Sequence, residues 1–318
     1  MSWPVVDRAP VQLPTLPGHD DALWATLVEL GDVRPGDWTL IGGQMVFLHA
    51  LEHDTVPPRV STDLDILVNA RIVSGAVGAF SADIEALGFE LDGMSPEGIA
   101  HRYRRGTVSI DVLAPDGLGS HTDLTTTPPG RTLQVPGGTQ ALARTEFVRV
   151  TTSTLTGRVP RPSLLGAIVC KAVAVGVDDA PDAQRLDLAL LLGLVDNPFE
   201  LIDQLSATDR RRLRARTELA DETHPVWGRL TLDRTIERER SCDSSRGRSP
   251  TDGRRCRGFR LALTFNAVWG IVAPEPGACE LRHGPLSVLY LGEPWRTAAC
   301  RCVRPVRGVV RGGGCRRG

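Results

Sequence analysis

The stretch WTLIGGQMVFLHALEHDTVPPRVSTDLDILV, from Trp38 to Val68, places two glycines after one apolar run and two aspartates inside another. Successive side chains of a β-strand point to opposite faces, so Asp63 and Asp65 share a face opposite the apolar residues around them. Burying a carboxylate without a partner is strongly unfavourable. The pair therefore predicts a ligand that neutralises it, and a metal ion suits it best.

The two glycines separate a short buried strand, WTLI, from a segment with apolar residues at helical spacing, QMVFLHALE. Gly42 and Gly43 allow the backbone to come close to a ligand. The N–H groups of the first helical turn, around Gln44, then face an anion. A phosphate-bearing ligand is expected at this bend.

A third carboxylate follows in TVSIDVL, where Asp111 shares a face with Ser109. The preceding HRYRR and this segment predict a hairpin with Gly106 in its turn. If the second strand of the hairpin lies beside DLDILV, three carboxylates meet at one end of a sheet. Such oxygen ligands suit Mg²⁺, with Mn²⁺ as a substitute. Two ions about 3.5–4 Å apart would clamp the attacking and leaving oxygens of a phosphoryl displacement.

Elsewhere the patterns predict helices followed by a more irregular region. Helical spacing is found in residues 20–31, with Gly31 as the expected end, and in 71–88, 163–177, 182–195 and 206–222, while short strands are expected within 131–156. The predicted class is α+β, a small mixed sheet with flanking helices followed by a helical domain. The expected divisions are 1–34, 35–158, 159–235 and a tail of low order, 236–318.

The segments GGQMVFLHALEHDTVPPRVSTDLDIL and SIDVL resemble the nucleotidyltransferase superfamily that includes DNA polymerase β. Within it, they are most similar to the AbiEii-type toxins of bacterial type IV toxin–antitoxin systems. The family pattern is Gly-Gly, a helix, Arg-x-(Ser/Thr)-x-Asp-(Ile/Leu)-Asp and later a lone Asp on a strand. The resemblance covers about residues 35–225. The matching positions are Arg59, Ser61, Asp63, Leu64, Asp65 and Asp111, and more weakly Lys171, Arg185 and Asp187.

The resemblance implies transfer of a nucleoside monophosphate from an NTP to an acceptor, with release of pyrophosphate. Asp63 and Asp65 would hold both metal ions, and Asp111 would bind one ion and help to deprotonate the attacking hydroxyl. Arg59 and Ser61 would contact the nucleotide together with the residues of the glycine bend, Gly42, Gly43 and Gln44. Lys171 and Arg185 would meet the triphosphate, and Asp187 would orient one of them. The acceptor would be RNA, particularly a tRNA end, or a protein side chain, and a cognate antitoxin is an implied partner.

The sequence departs from the family pattern at two positions. Gln44 stands where a hydroxyl residue usually follows the second glycine, which weakens the case for a side-chain contact with phosphate. Arg185 stands where a lysine is more usual, so the charge is kept but the geometry differs.

Other interpretations of these residues remain open. Asp63 and Asp65 could be solvent-facing residues at a strand end, and Lys171 could extend its head group to solvent. The same fold could also modify a small molecule such as an aminoglycoside. A module without activity could instead use the basic helix DRRRLRAR to bind nucleic acid.

Composition and charge set apart the end of the chain. Residues 242–318 carry 14 of the 37 basic and 5 of the 38 acidic residues, together with six of the seven cysteines. Their periodicity is poor, and the cysteines lack the spacing of a structural zinc site, which suggests translation in a shifted frame. No apolar run approaches the ~18 residues of a membrane span, and the first residues do not read as a signal peptide, so we expect no membrane association and a cytoplasmic location.

Overall fold

The computed structural model describes residues 3–16, 21–221 and 223–230. Within them, helices are interspersed with strands that form mixed sheets, so the predicted α+β class is confirmed. The division into domains stays a prediction. The predicted tail and its six cysteines lie outside the described residues.

The larger sheet carries the segments on which the sequence analysis rests. Its strand order is β2-β3-β6-β5-β4, and β7 also pairs with β6. The two central strands, β3 and β6, run parallel, whereas β2 and β5 lie antiparallel on either side of them. The strands are β2 (Trp38–Ile41), β3 (Asp63–Val68), β4 (Glu90–Leu91), β5 (Arg102–Arg105), β6 (Val108–Pro115) and β7 (Gln134–Val135).

The smaller sheet consists of β1 (Val11–Gln12), β8 (Thr145–Thr151) and β9 (Thr156–Pro162), and helix α1 (Ala22–Val33) packs against β9. The expected end of this helix at Gly31 is wrong, because the helix continues for two more residues. A Cβ atom at Gly31 would lie 2.5 Å from the carbonyl oxygen of Arg158. The glycine therefore permits close packing of helix on strand.

The remaining helices flank the sheets and follow them in the chain. The predicted helical segments 163–177, 182–195 and 206–222 correspond to α5, α6, and α8 with a short 3₁₀ turn. Ser206 begins α8 with a reciprocal capping interaction with Asp209. The helices are α2 (Gly42–Glu52), α3 (Ala76–Ala86), α4 (Gly138–Ala143), α5 (Leu164–Ala174), α6 (Pro181–Gly193), α7 (Pro198–Ile202) and α8 (Ala207–Arg214), with the 3₁₀ turn at Thr217–Ala220.

Helix length in the described part of the chain bears on membrane insertion. A membrane-spanning helix needs about 20 residues, most of them apolar. The longest helix in these ranges, α6, has 13 residues. Accordingly, none of the helices in these ranges combines the length and the apolar character needed to cross a bilayer.

A buried polar cluster joins α2 to the smaller sheet. The Nε2 atom of His49 lies 3.0 Å from the carbonyl oxygen of Pro162, so this nitrogen carries the proton. Glu52 lies 3.6 Å from the other ring nitrogen, but its carboxylate already accepts a hydrogen bond from Arg161. Burial first, and then the charge of Arg161, hold the pKa of His49 well below its usual value. The imidazole is therefore neutral in the folded protein.

This neutral histidine should make the fold sensitive to mild acid. Because its pKa is lower in the folded than in the unfolded chain, its contribution to stability is complete above the unfolded pKa, about 6.5, and is lost as the pH falls below that value. We expect the His49 contribution, taken as the difference in stability between the wild type and His49→Gln, to fall by about 1 kcal/mol between pH 7.5 and 5.5, while protonation of Asp65 acts in the opposite sense in both proteins. Urea unfolding of the wild type and of His49→Gln measures this loss. An equal pH dependence in both proteins would contradict the expectation.

Candidate active site

Three carboxylates share one face of the larger sheet. On the parallel strands β3 and β6, Asp65 is in register with Asp111, and Asp63 is in register with Ser109. Since neighbouring strands lie about 4.8 Å apart, Asp65 and Asp111 project side by side. The opposite face is apolar and fully buried, and it carries Leu64, Ile66, Ile110 and Val112. The structure therefore provides the adjacency that the sequence interpretation requires.

The pKa of Asp65 reflects the charges of the other ionisable groups around this face. Burial, followed by the charges of Asp111 and Asp63, raises the pKa of Asp65 to about 6. The positive charges of Lys171 and Arg102 oppose this shift without cancelling it. The face therefore holds more negative charge than its neighbouring cations balance, and an added cation would relieve the repulsion.

The two glycines bring the start of α2 against these residues. Gly42 has a φ of 70°, and a Cβ atom there would lie 1.7 Å from Oδ2 of Asp65. At Gly43, a Cβ atom would lie 2.5 Å from the Cβ of Ser61 and 3.7 Å from Nη2 of Arg59. Both positions therefore require glycine. The first turn of α2 thus meets a carboxylate on one side and a hydroxyl and a guanidinium on the other.

Gln44 braces the loop that precedes β3. Its side chain is fully buried, and its Nε2 atom donates a hydrogen bond to the carbonyl oxygen of Ser61. The side chain therefore fixes the position of Ser61 beside Gly43. A contact between phosphate and the backbone N–H of Gln44 stays a prediction.

Asp187 on α6 pairs with two of the predicted cations, Arg59 and Lys171. Arg59 donates to both of its carboxylate oxygens, from Nε at 2.8 Å and from Nη2 at 2.5 Å. Lys171 on α5 lies with its Nζ 2.8 Å from Oδ2 of Asp187 and donates to Oε1 of Gln184 at 2.7 Å. The side chains of Lys171 and Asp187 are only 3% and 2% exposed. Lys171 is therefore a buried, paired lysine and does not extend to solvent.

The two parallel hydrogen bonds from Arg59 to Asp187 should contribute to the stability of the fold. A lysine at this position keeps the charge but cannot donate two parallel hydrogen bonds to Asp187. We expect Arg59→Lys to lower the free energy of unfolding by about 1 kcal/mol. Arg71→Lys is the control, because Arg71 is exposed and, among the residues that the structure describes, donates to the carbonyl oxygen of Gly117 and the hydroxyl of Thr139. Equal urea midpoints for the two variants would show that the paired hydrogen bonds from Arg59 to Asp187 do not add to the stability of the fold.

Arg185 does not join this cluster. Residues two apart on a helix are about 200° apart around its axis, so Arg185 and Asp187 leave α6 in different directions. Arg185 instead pairs with Asp182 at 2.8 Å and with Glu218 at 3.5 Å. Its predicted contact with triphosphate stays a prediction and gains no support from this arrangement.

Arg102 is a residue of the site that the sequence interpretation missed. It donates to both oxygens of Asp111, from Nε and from Nη2, each at 2.7 Å. The hairpin register pairs Arg105 with Val108 and therefore Arg102 with Asp111. The predicted hairpin around Gly106 already contained this information, because counting outward from a two-residue turn leads to the same pair.

The donor set suits a hard cation in its chemistry, since carboxylate oxygens are the ligands that Mg²⁺ prefers. Its arrangement does not yet provide a complete site. Among residues 3–16, 21–221 and 223–230, no three or more acidic, histidine or cysteine side chains are arranged so that they could hold a metal ion. Within this cluster, both oxygens of Asp111 already accept hydrogen bonds from Arg102.

Comparisons with known proteins add little to this picture. No protein-family model and no curated protein sequence matches the chain. A similar solved structure is the crystal structure of an antigenic nucleotidyltransferase-like protein from Paracoccidioides brasiliensis, with a TM-score of 0.40 and 11% identity. The similarity covers 66% of this chain and 93% of that one. A likeness of this degree supports no statement about the function of this chain.

Proposed function

We propose that this chain is a nucleotidyltransferase that moves a nucleoside monophosphate from an NTP to an acceptor hydroxyl. The observation that carries the proposal is the pairing of Asp65 with Asp111 on adjacent parallel strands, with Gly42 directly beneath the Asp65 carboxylate. Acidic groups held together at a glycine bend are unfavourable for stability alone. A site for a cation and a phosphate accounts for both features.

The cations around the bend fit a triphosphate. Arg59 and Ser61 lie against Gly43, and Ile41, which precedes the helix, has no polar side chain to cap its first N–H groups. These N–H groups and the guanidinium together favour an anion. The positive charge of Lys171 partly offsets the raised pKa of Asp65, and Lys171 itself pairs with Asp187.

The proposed reaction is an in-line displacement. The acceptor oxygen bonds to the α-phosphorus, the bond from that phosphorus to the bridging oxygen breaks, and pyrophosphate leaves with the electron pair. The hydroxyl proton passes to a carboxylate of the site, for which Asp111 is the proposed acceptor. Asp63, Asp65 and Asp111 are the proposed ligands of Mg²⁺ or Mn²⁺, which when bound would neutralise the charge that develops on the phosphates.

Label transfer tests the proposal directly. The full chain is incubated with each of the four NTPs, labelled at the α-phosphate, together with Mg²⁺ and total RNA. We expect label to enter RNA, and we expect none when the label is on the γ-phosphate, because the γ-phosphate leaves with pyrophosphate. If α-label enters neither RNA, nor protein, nor a small hydroxyl acceptor such as an aminoglycoside, with Mg²⁺ or with Mn²⁺, the proposal is wrong.

We further propose that the acceptor is RNA, particularly a tRNA end, and that the chain is the toxin half of a type IV toxin–antitoxin pair. Support for this finer assignment is the motif resemblance described above. It is also consistent with two exposed arginines of α8, Arg211 and Arg214, which could meet RNA phosphates. Label recovered in protein or in an aminoglycoside instead of RNA would contradict it.

A second candidate is a nucleic-acid-binding module without catalytic activity. The hydrogen bonds from Arg102 to Asp111 favour it, since they occupy a predicted metal ligand. The two candidates differ in ligand linkage, because a ligand that binds only the folded state raises the melting temperature. Stabilisation by an NTP that requires Mg²⁺ indicates the enzyme. Retention of RNA with no effect of any NTP indicates the module.

A further inference from the structure

Arg102 occupies Asp111 in the way a cation would. Its guanidinium donates one hydrogen bond to each carboxylate oxygen, both at 2.7 Å, which is the paired geometry of a strong arginine–carboxylate contact. The register of the hairpin fixes the two residues opposite each other. The strand pairing therefore sets the positions of the two residues, and the contact itself is made by their side chains.

From this geometry we infer that Arg102 competes with a divalent cation for Asp111, so that the guanidinium must leave the carboxylate before the metal site is complete. The inference rests on the proposed function. It starts from two observations: three carboxylates share one face of the sheet, and one of them, Asp111, already accepts two hydrogen bonds from a guanidinium.

Release of Arg102 needs only a movement of its side chain. The side chain is 38% exposed, whereas that of Asp111 is 10% exposed, so the guanidinium can turn toward solvent while the carboxylate stays in place. The strand pairing of β5 with β6 need not change, because it is made by backbone atoms. The exchange is thus a local one.

The charge balance favours the exchange when metal is present. Asp65 and Asp63 add their field to that of Asp111, and all three carboxylates raise the pKa of Arg102 above its usual value. Arg102 contributes one positive charge, whereas the face carries three carboxylates. Replacing one positive charge by two at this face therefore removes repulsion that the arginine leaves in place.

The test measures metal affinity in the full chain without nucleotide. Free Mn²⁺ is followed by electron paramagnetic resonance during titration of the wild type, Arg102→Gln and Arg104→Gln. Arg104 is a matched control because it lies two residues along the same strand and also pairs with a carboxylate, that of Asp92 at 2.6 Å. We expect Arg102→Gln to bind Mn²⁺ roughly tenfold more tightly than the wild type, and Arg104→Gln to bind like the wild type.

An equal Mn²⁺ affinity in Arg102→Gln and the wild type would overturn the inference. The guanidinium of Arg102 would then not hinder the binding of Mn²⁺ to Asp111. An equal gain in both variants would also overturn it, since the effect would come from net charge alone. If Arg102→Gln does not unfold cooperatively, Arg102→Lys replaces it. Lysine keeps the charge without the fork, so we expect a gain of about threefold, and no gain would again overturn the inference.

The outcome separates this inference from the proposed function. Label transfer together with unchanged Mn²⁺ affinity in the Arg102 variants would refute the competition and leave the enzyme assignment intact. Failure of every variant to bind Mn²⁺, together with absence of label transfer, would refute both.

Discussion

Asp65→Asn is expected to lower the rate of nucleotidyl transfer at least about a thousandfold, the scale of losing a principal catalytic group. The same change is expected to make the ligand-free protein more stable, by about 1–3 kcal/mol at pH 8. The reason is that the carboxylate is half-buried beside Asp111 and Asp63, and partial burial and these neighbouring charges raise its pKa from 3.8 to about 6. Asparagine removes the charge and keeps the shape.

The pH dependence of this stabilisation follows from the direction of the shift. Because the pKa of Asp65 is higher in the folded than in the unfolded chain, its ionised form opposes folding above about pH 6. Below the unfolded value the carboxyl is neutral in both states. The gain from asparagine should therefore be present at pH 8 and absent near pH 3, as measured by urea unfolding.

Asp92→Asn is the matched control, since Asp92 is exposed and, within the described part of the chain, forms its ion pair with the exposed Arg104. We expect its activity to equal that of the wild type and its stability to change by less than about 0.5 kcal/mol. Wild-type activity in Asp65→Asn would refute the site. Lower stability together with lost activity would show that Asp65 has a structural role.

Gly42→Ala is expected to lower the free energy of unfolding by about 2–5 kcal/mol. The left-handed φ of 70° contributes about 1–2 kcal/mol for any residue with a Cβ atom. Displacement of the Asp65 carboxylate, whose Oδ2 would lie 1.7 Å from the new atom, adds about 1–3 kcal/mol. Nucleotidyl transfer should fall as well, because the displaced group is a proposed catalytic residue.

Gly75→Ala separates the two contributions. Gly75 has nearly the same φ, 69°, and a Cβ atom there would meet no atom within 4 Å. We expect Gly75→Ala to lower the free energy of unfolding only by the cost of the left-handed φ, about 1–2 kcal/mol, with activity unchanged. Equal losses of stability in the two variants would mean that Asp65 can move away from Gly42 at no cost.

The parts of the site that the sequence predicts depend on short-range patterns. The alternation in DLDILV and SIDVL places the aspartates and the apolar residues on the faces that the structure shows. The turn at Gly106 was predicted from residue type, and its φ of 58° shows why a glycine suits it. These features are set by the two-residue period of a strand and by backbone sterics, so one sequence is enough to read them.

The parts that were missed depend on partners far apart in the chain. The motif predicts that Arg59 contacts the nucleotide but does not predict its carboxylate partner, Asp187, which is 128 residues away. The sequence pattern predicts the end of the helix at Gly31, but Gly31 lies within the helix, where the strand formed by residues 156–162 packs against it. No local pattern contains such a contact. Arg102 is different, because a strict count along the hairpin would have found it.

The positions of Asp187 and Lys171 in the chain determine which truncated fragments would keep the charge balance of the site. The acids of β3 and β6 belong to the first half of the chain, while Asp187 and Lys171 come from helices near its middle. A fragment that stops before residue 159 would keep Asp63, Asp65 and Asp111 but lose Lys171, a cation that tempers their mutual repulsion. The helical segment thus supplies part of the positive charge that offsets these carboxylates, and we expect a fragment without it to lose that compensation.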